Sequence, residues 1–117
     1  MVVVQSEQLP FEEVTYEGAS GAYIKELLTQ REGAPNFAMR LFEIRPGGHT
    51  MHHSHAWEHE VYILSGTGEV HTDTGPVAVK EGDAVLVPGG EPHSFENTGT
   101  SPFRFLCIIP VEQPCCR

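Results

Sequence analysis

Glycine and proline residues interrupt this sequence at short, fairly even intervals, and that spacing constrains the fold more than any other feature. Nine prolines and twelve glycines are spread over the 117 residues rather than clustered. Alone or in short groups such as Pro46-Gly47-Gly48, they punctuate the chain about every ten residues, which is typical of chains built from many short strands and tight turns. The spacing predicts an all-β fold.

The segments between these turns have the composition of strands. They alternate in character or are rich in β-branched and aromatic residues. The segments predicted as strands are residues 37–44, 60–64, 69–72, 77–80, 83–87 and 103–109. The first is expected to stop at Pro46-Gly47-Gly48, and Asp73-Thr74-Gly75-Pro76 indicates a hairpin turn.

Residues 22–31 are the one stretch whose composition would also allow a helix. We interpret them as a strand, because the stretch is short, follows Gly21, has no evident cap and alternates in character. The chain would then hold about eight to ten strands, which must close or stack to bury their edges. We expect a single domain over residues 1–117, folded as a small β-barrel or a jelly roll of two sheets.

The charge balance argues against two classes of partner. The chain carries 16 acidic against 7 basic side chains, a formal net charge of −9, whereas nucleic acids and anionic membranes attract basic surfaces. No apolar run approaches the roughly 20 residues of a membrane-spanning helix, and the N-terminus lacks the basic region of a secretory signal. We expect a cytoplasmic protein without a nucleic-acid or membrane partner.

The three cysteines do not form a recognisable framework. They are odd in number and show no CxxC spacing. A disulfide framework is not expected, which fits a reducing cytoplasm. Cys107 lies in an apolar run, whereas Cys115 and Cys116 fall in residues 111–117, which we predict to be a flexible, exposed tail.

Histidines are concentrated between residues 52 and 59. His53 and His55 are separated by one residue, so on a strand both imidazoles would project to one side, roughly 6–7 Å apart. His59 follows after a short connection and could supply a third nitrogen to the same metal ion. This spacing alone leaves open a polar strand face with exposed imidazoles.

The wider pattern around these histidines resembles the first motif of the cupin superfamily. That motif is Gly, five residues, His-x-His, three or four residues, Glu, six residues, Gly. Residues 47–66 match its spacings through Gly47, His53, His55 and Gly66, and His59 occupies the glutamate position. The replacement of a carboxylate by an imidazole would leave an uncharged ligand set.

Residues 82–97 resemble the second cupin motif without a departure. Gly82, Pro88, Gly90, His93 and Asn97 stand at its fixed positions. The resemblance implies a small barrel, also described as a double-stranded β-helix, with a metal ion inside it. The ligands carried over by the two motifs are His53, His55, His59 and His93. Residues 34–42 and 53–60 are also similar to the single-domain, manganese-binding cupins with four histidines.

Glu60 is an alternative to His59 as the third ligand. It would leave only five residues before Gly66 and would face away from His59, so we prefer His59. Other polar side chains of the region are expected at the surface rather than on the metal: Glu58, Glu60, His49, His52 and His71.

Four imidazoles suit a divalent transition metal. The resemblance favours manganese, with iron, nickel, zinc or copper as alternatives. Four protein ligands around an octahedral ion would leave two positions for water, a bidentate substrate or dioxygen, as in catalytic sites. Because protons compete for imidazole nitrogens, we expect metal binding to weaken below about pH 6.5.

Strand alternation predicts which residues line the pocket beside the metal. Phe103, Phe105, Cys107 and Ile109 share the uncharged face of the last predicted strand. Phe105, Cys107 and Ile109 would form an apolar wall, either in contact with a substrate or as plain core. Arg40 lies in an otherwise apolar run, where it either extends to solvent or binds a carboxylate at the pocket mouth.

These observations lead to a metal-dependent oxidoreductase as the first functional hypothesis. An open site beside an apolar wall suits dioxygenase-like or peroxide-using cleavage of a small organic substrate. An isomerase or decarboxylase would need an acid/base pair, for which the sequence offers Arg40, Tyr62 or Glu58. A binding module without turnover is the third hypothesis, since one fold hosts many functions.

The resemblance also implies a homodimer. Members of the superfamily commonly pair or exchange their N-terminal strands, and Val2-Val3-Val4 is a plausible pairing segment.

Overall fold

Nine antiparallel strands curl into one β-barrel in the computed structural model, which describes residues 1–111 of the chain. The strands are Glu12–Glu13 (β1), Ser20–Leu28 (β2), Phe37–His49 (β3), His59–Ser65 (β4), Thr67–Thr72 (β5), Gly75–Lys80 (β6), Ala84–Val87 (β7), His93–Glu96 (β8) and Phe103–Pro110 (β9). The described part of the chain contains no α-helix, so the predicted all-β barrel is confirmed.

Two short 3₁₀ turns, Ser6–Gln8 and Gln30–Glu32, are the helical segments of residues 1–111. Neither has the length or the apolar character that crossing a bilayer would require.

The strands pair in the order β6-β5-β8-β3-β9-β4-β7, and β2 joins this path by pairing with β3 and β1. The long strand β3 is central. It pairs with β2 along one edge, with β9 from Phe37 to Ile44 along the other, and with β8 at His49. It therefore connects the β6-β5-β8 part of the strand order to the β9-β4-β7 part.

The expected end of this strand at Pro46-Gly47-Gly48 is wrong, because these residues bend β3 instead of ending it. The register with β2 jumps from Ala22 opposite Ile44 to Ser20 opposite His49. Gly47 has a φ of +81°, in the left-handed region that glycine tolerates. A side chain on Gly48 would meet the carbonyl of Ser20. Glycines here allow a bulge that turns the strand over the barrel.

Residues 22–28 form a strand as predicted, but residues 29–31 do not. The side chain of Thr29 accepts from the backbone N–H of Arg31 at 3.1 Å, and Glu32 accepts from the N–H of Thr29 at 2.9 Å. This is a capping box on the turn Gln30–Glu32. The sequence reading overlooked Thr29 as a cap.

The other predicted strands are confirmed to within a few residues, including the hairpin of β5 and β6 around Asp73 and Thr74. The strands β1 and β8 were not predicted, because they have two and four residues and too few apolar positions to show alternation. Val111 packs on the core and donates to the carbonyl of Asn36 at 3.1 Å. The rest of the predicted tail, with Cys115 and Cys116, lies outside the described residues.

The barrel interior is aromatic around the last strand. On β9, Phe103, Phe105, Cys107 and Ile109 point inward and are at most 2% exposed, as the alternation predicted. The ring of Phe105 stacks on Phe42 and Phe95, with centroids 5.2 and 4.7 Å apart. These contacts join β3, β8 and β9 through one shared ring.

Asn97, the last residue of the second motif, has a structural role. Its side chain is buried, and its amide nitrogen donates to the carbonyls of Ile44 and Ser101, each at 2.8 Å. Its amide oxygen accepts from the N–H of Gly99 at 2.9 Å. One side chain thus satisfies three backbone groups, including the buried carbonyl of Ile44, just after the end of β8.

We expect Asn97→Ala to lower the free energy of unfolding by about 2–4 kcal/mol, because backbone groups are left buried without partners. Urea unfolding measures this loss. Asn36→Ala is the matched control, since the Asn36 side chain is exposed, and it should change stability by less than about 0.5 kcal/mol. Equal losses in the two variants would contradict the structural role of Asn97.

Candidate metal centre

The connection between β3 and β4 carries the first two histidines of the cluster. We predicted that His53 and His55 lie on a strand, and this is wrong: the segment is extended but forms only one bridge, between His53 and His93. The alternation of sides is nevertheless kept, since His52 and Ser54 are exposed while His53 and His55 are half-buried and turn inward. The alternation of side chains in an extended segment is therefore enough to direct both rings inward.

The other two histidines begin strands. His59 is the first residue of β4 and His93 the first of β8, and they are 8% and 2% exposed. The connection is tied to the second motif by the N–H of Gly90, which donates to the carbonyl of His55 at 2.7 Å. The two motifs therefore meet at one end of the barrel.

All four rings converge on one region of the interior. Ring nitrogens of His53, His55 and His93 lie within 4.8 Å of one another. His59 joins this group through its Nε2 atom, which lies 2.6 Å from Nε2 of His55, and its ring centroid is 5.0 Å from that of His93. The structure thus brings together the four side chains that the motifs indicated.

Backbone carbonyls orient three of these rings. In each ring Nδ1 lies against a carbonyl oxygen, and because a carbonyl can only accept, Nδ1 must carry the proton. The contacts are His53 with Met51 at 2.8 Å, His55 with Trp57 at 2.9 Å and His93 with Glu91 at 2.9 Å. In the neutral form of each ring this leaves the lone pair on Nε2, on the side away from the carbonyl. Glu58 and Glu60 are exposed, as expected, and take no part.

His59 is oriented by a side chain instead. Its Nδ1 atom lies 2.9 Å from Sγ of Cys107, which accepts from Nη2 of Arg40 at 3.1 Å. Because Nε2 of His55 has no proton, Nε2 of His59 must be the donor in their contact. Nδ1 of His59 then accepts from the Cys107 thiol. The result is a chain of hydrogen bonds from Arg40 to His55.

Burial favours the neutral form of three of these imidazoles, those of His55, His59 and His93. It lowers the pKa of His59 to about 2, with the positive charge of Arg40 as the second cause. It also lowers the pKa of His55 and of His93. Burial raises the pKa of the Cys107 thiol, against an opposing effect of Arg40. A neutral imidazole is the form that binds metals.

The cavity around the histidines encloses about 620 Å³, part of it open to solvent. Phe105, Cys107 and Ile109 line it, in the positions given by strand alternation, and Trp57 stacks on His55 with parallel rings 4.1 Å apart. Arg40 also lines it and is 7% exposed. The interpretation that Arg40 extends to solvent is therefore wrong.

A second cluster of ionisable groups lies on the outer face of the barrel and was missed by the sequence reading. Nε2 of His71 lies 2.7 Å from Glu96 and 3.3 Å from Glu69. These side chains are about one third exposed, so His71 is not the freely solvated residue that we expected. Glu69 and His71 are spaced i, i+2 on β5, the same signal that identified His53 and His55.

Comparisons with known proteins agree with this architecture. The family model described as "Cupin domain" matches residues 40–109. An oxalate-binding protein of Thermotoga maritima is 37% identical over 113 residues, which cover 93% of each chain.

Two solved structures are similar to the whole barrel. The polyketide cyclase RemF of Streptomyces resistomycificus is 35% identical, with a TM-score of 0.93 over 100% of this chain and 84% of its own. A predicted oxalate decarboxylase of Thermotoga maritima is 29% identical, with a TM-score of 0.84 over 95% of this chain and 100% of its own.

The lowered pKa of His59 predicts how stability depends on pH. In the unfolded chain this histidine titrates near 6.5, but in the fold only near 2. Between these values the unfolded state binds the extra proton, so metal-free protein should lose about 1.4 kcal/mol of stability per pH unit from this group as pH falls. Because the pKa values of these histidines are lowered, we also expect metal to be lost at a lower pH than the 6.5 of a free imidazole.

Urea unfolding of chelator-treated protein between pH 7.5 and 5 measures this slope. His59→Gln should flatten it, whereas His52→Gln, which replaces an exposed neighbour, should leave it unchanged. An identical slope in wild type and His59→Gln would contradict the assignment.

Proposed function

This chain belongs to the cupin family, and from that premise we propose that His53, His55, His59 and His93 hold one divalent transition-metal ion. The proposal is supported above all by the carbonyl contacts at Nδ1, which turn the Nε2 atoms of three rings toward one another. Rings fixed in this way are typical of metal-ligating histidines.

The donor set fits such an ion. Four neutral imidazoles suit Mn, Fe, Ni, Zn or Cu, and manganese is our first candidate. His59 would bind through Nε2 in the tautomer whose proton is on Nδ1, where Nδ1–H can donate a hydrogen bond to Sγ of Cys107. When bound, the ion supplies Lewis-acid or oxygen chemistry at its open positions.

The cavity favours a small organic substrate with an apolar body. Apart from the histidines, Arg40 and Cys107, its walls are mostly aromatic and aliphatic, including Phe42, Trp57, Phe105 and Ile109. These side chains would hold the apolar body by contact and keep water from the reacting end. The substrate's oxygen atoms would then face the histidines.

For the reaction, we propose an oxidoreductase that performs dioxygenase-like or peroxide-using cleavage. Of the three acid/base candidates, Tyr62 and Glu58 are exposed and do not line the cavity, whereas Arg40 does. Because a guanidinium stays protonated and cannot serve as a base, chemistry that depends on an acid/base pair from these three residues is disfavoured.

A non-oxidative reaction is the second candidate. It is favoured by the similarity to the polyketide cyclase RemF, which extends over the whole of this chain. The similarity to an oxalate-binding protein supports a third possibility, ligand binding without turnover.

We expect the purified protein to hold about one equivalent of metal by elemental analysis, and His59→Ala and His93→Ala to lower its affinity at least about tenfold. Trp57, the single tryptophan, stacks on His55, so Cu²⁺ binding should quench its fluorescence. His52→Ala is the matched control and should bind metal normally. Unchanged metal affinity in both ligand variants would contradict the proposed centre.

Protein loaded with Mn²⁺, Fe²⁺ or Zn²⁺ can be supplied with enols, alkenes and catechols, with or without oxygen or peroxide. The oxidoreductase hypothesis predicts oxygen or peroxide consumption with manganese or iron and none with zinc. Products formed anaerobically with zinc would support the non-oxidative reaction instead. Saturable binding without any product would support a binding module.

We also propose a homodimer. Val2 and Val3 are 54% and 85% exposed, and Tyr62, Leu64 and Leu86 form an exposed apolar face on β4 and β7. Size-exclusion chromatography with light scattering should give twice the chain mass of 12.9 kDa, and Leu86→Lys should shift the protein toward the monomer. A monomeric wild type at high concentration would contradict the proposal.

A further inference from the structure

Arg40 is a buried cation whose cross-strand neighbour on β2 is Glu26 and whose side-chain hydrogen bond goes to a thiol rather than to a carboxylate. It lies on β3, is 7% exposed, and Nε has no hydrogen-bond partner. Its hydrogen-bond acceptor is Sγ of Cys107, at 3.1 Å from Nη2, and a thiol is a weak acceptor. An arginine cannot lose its charge in a protein, and a buried charge is costly unless it is paired.

The guanidinium lies beside the histidine cluster. Cys107, to which it donates, contacts Nδ1 of His59 at 2.9 Å. Its charge is also one of the causes that lower the pKa of His59 and of His55. Arg40 and the four histidines line one cavity, so a ligand there would meet both.

Phe42 and Cys107 hold the guanidinium in place. Its carbon atom lies over the Phe42 ring, 5.1 Å from the ring centroid, and Phe42 stacks in turn on Phe105. The cation is therefore supported on one side by an aromatic face and on another by a thiol. Its planar set of donors is preorganised for a planar oxyanion.

We propose that Arg40 is the carboxylate-binding residue of this cavity, and that the ligands of the protein are small carboxylic acids with an apolar body. The carboxylate would pair with the guanidinium, while the apolar body would lie against Phe105 and Ile109. This inference rests on the proposed function only in placing the ligand in the histidine cavity. It adds the charge and chemical class of that ligand.

Two related ligands test the charge of the site. They are 3-phenylpropanoate, which has a carboxylate but no neighbouring oxygen for chelation, and its methyl ester, which has the same body without the charge. We expect wild-type protein to bind the acid at least about tenfold more tightly than the ester by calorimetry, in both metal-free and zinc-loaded forms. Equal affinities, or no binding of the acid, would overturn the proposal.

Variants of Arg40 test the residue. Arg40→Gln should weaken binding of the acid about tenfold or more and change binding of the ester less than twofold, and Arg40→Lys should fall between. Arg45→Gln is the matched control: Arg45 lies on the same strand but is exposed and contacts Tyr23. Thermal unfolding and zinc content are measured on every variant.

Equal weakening of acid and ester in Arg40→Gln would show a merely structural role and overturn the proposal. If Arg40→Gln does not fold, the acid-to-ester ratio of the wild type still decides. Failure of the metal centre is recognised separately, because it removes zinc binding without changing the ratio measured on metal-free protein.

Discussion

The site depends on hydrogen bonds that the backbone makes to one side of its histidines. Each carbonyl at Nδ1 fixes both the rotation of a ring and the position of its proton, and so exposes an Nε2 lone pair to the interior. At His55 and His93 burial also lowers the pKa, which disfavours protonation of that lone pair at neutral pH. The barrel thus orients the histidine rings and also shields them from water, and the cluster depends on both effects.

The fold could be predicted largely from local signals, because turn residues and alternation are both visible in sequence. The prediction failed where turn-forming residues lie within a strand. Gly47 and Gly48 appeared to end β3 but bend it. It also missed β8, whose four residues become a strand only through pairing with β3 and β5. Such non-local pairing leaves no periodicity in so short a segment.

The four histidines could be predicted from spacing, but their surroundings could not. Nothing in the order of residues shows that Cys107 would contact His59, or that carbonyls would orient the other three rings. The burial of Arg40 could not be predicted for the same reason. A charged residue in an apolar run usually extends to water, and Arg40 does not because β3 lies deep within the barrel. These features depend on which strands become neighbours.

The contact between His55 and His59 has a consequence for the residue at position 107. As described, Cys107 donates to Nδ1 of His59, while Nε2 of His59 donates to His55. An electrophile such as a metal ion binds Nε2 of His59 through its lone pair. The ring must then adopt the opposite tautomer, in which Nδ1 donates to sulfur. The side chain at position 107 must therefore be able both to donate and to accept a hydrogen bond. A hydroxyl or thiol can do this, whereas a methyl group or thioether cannot. The side chain at this interior position must therefore meet a requirement of reversible hydrogen-bond polarity as well as one of size.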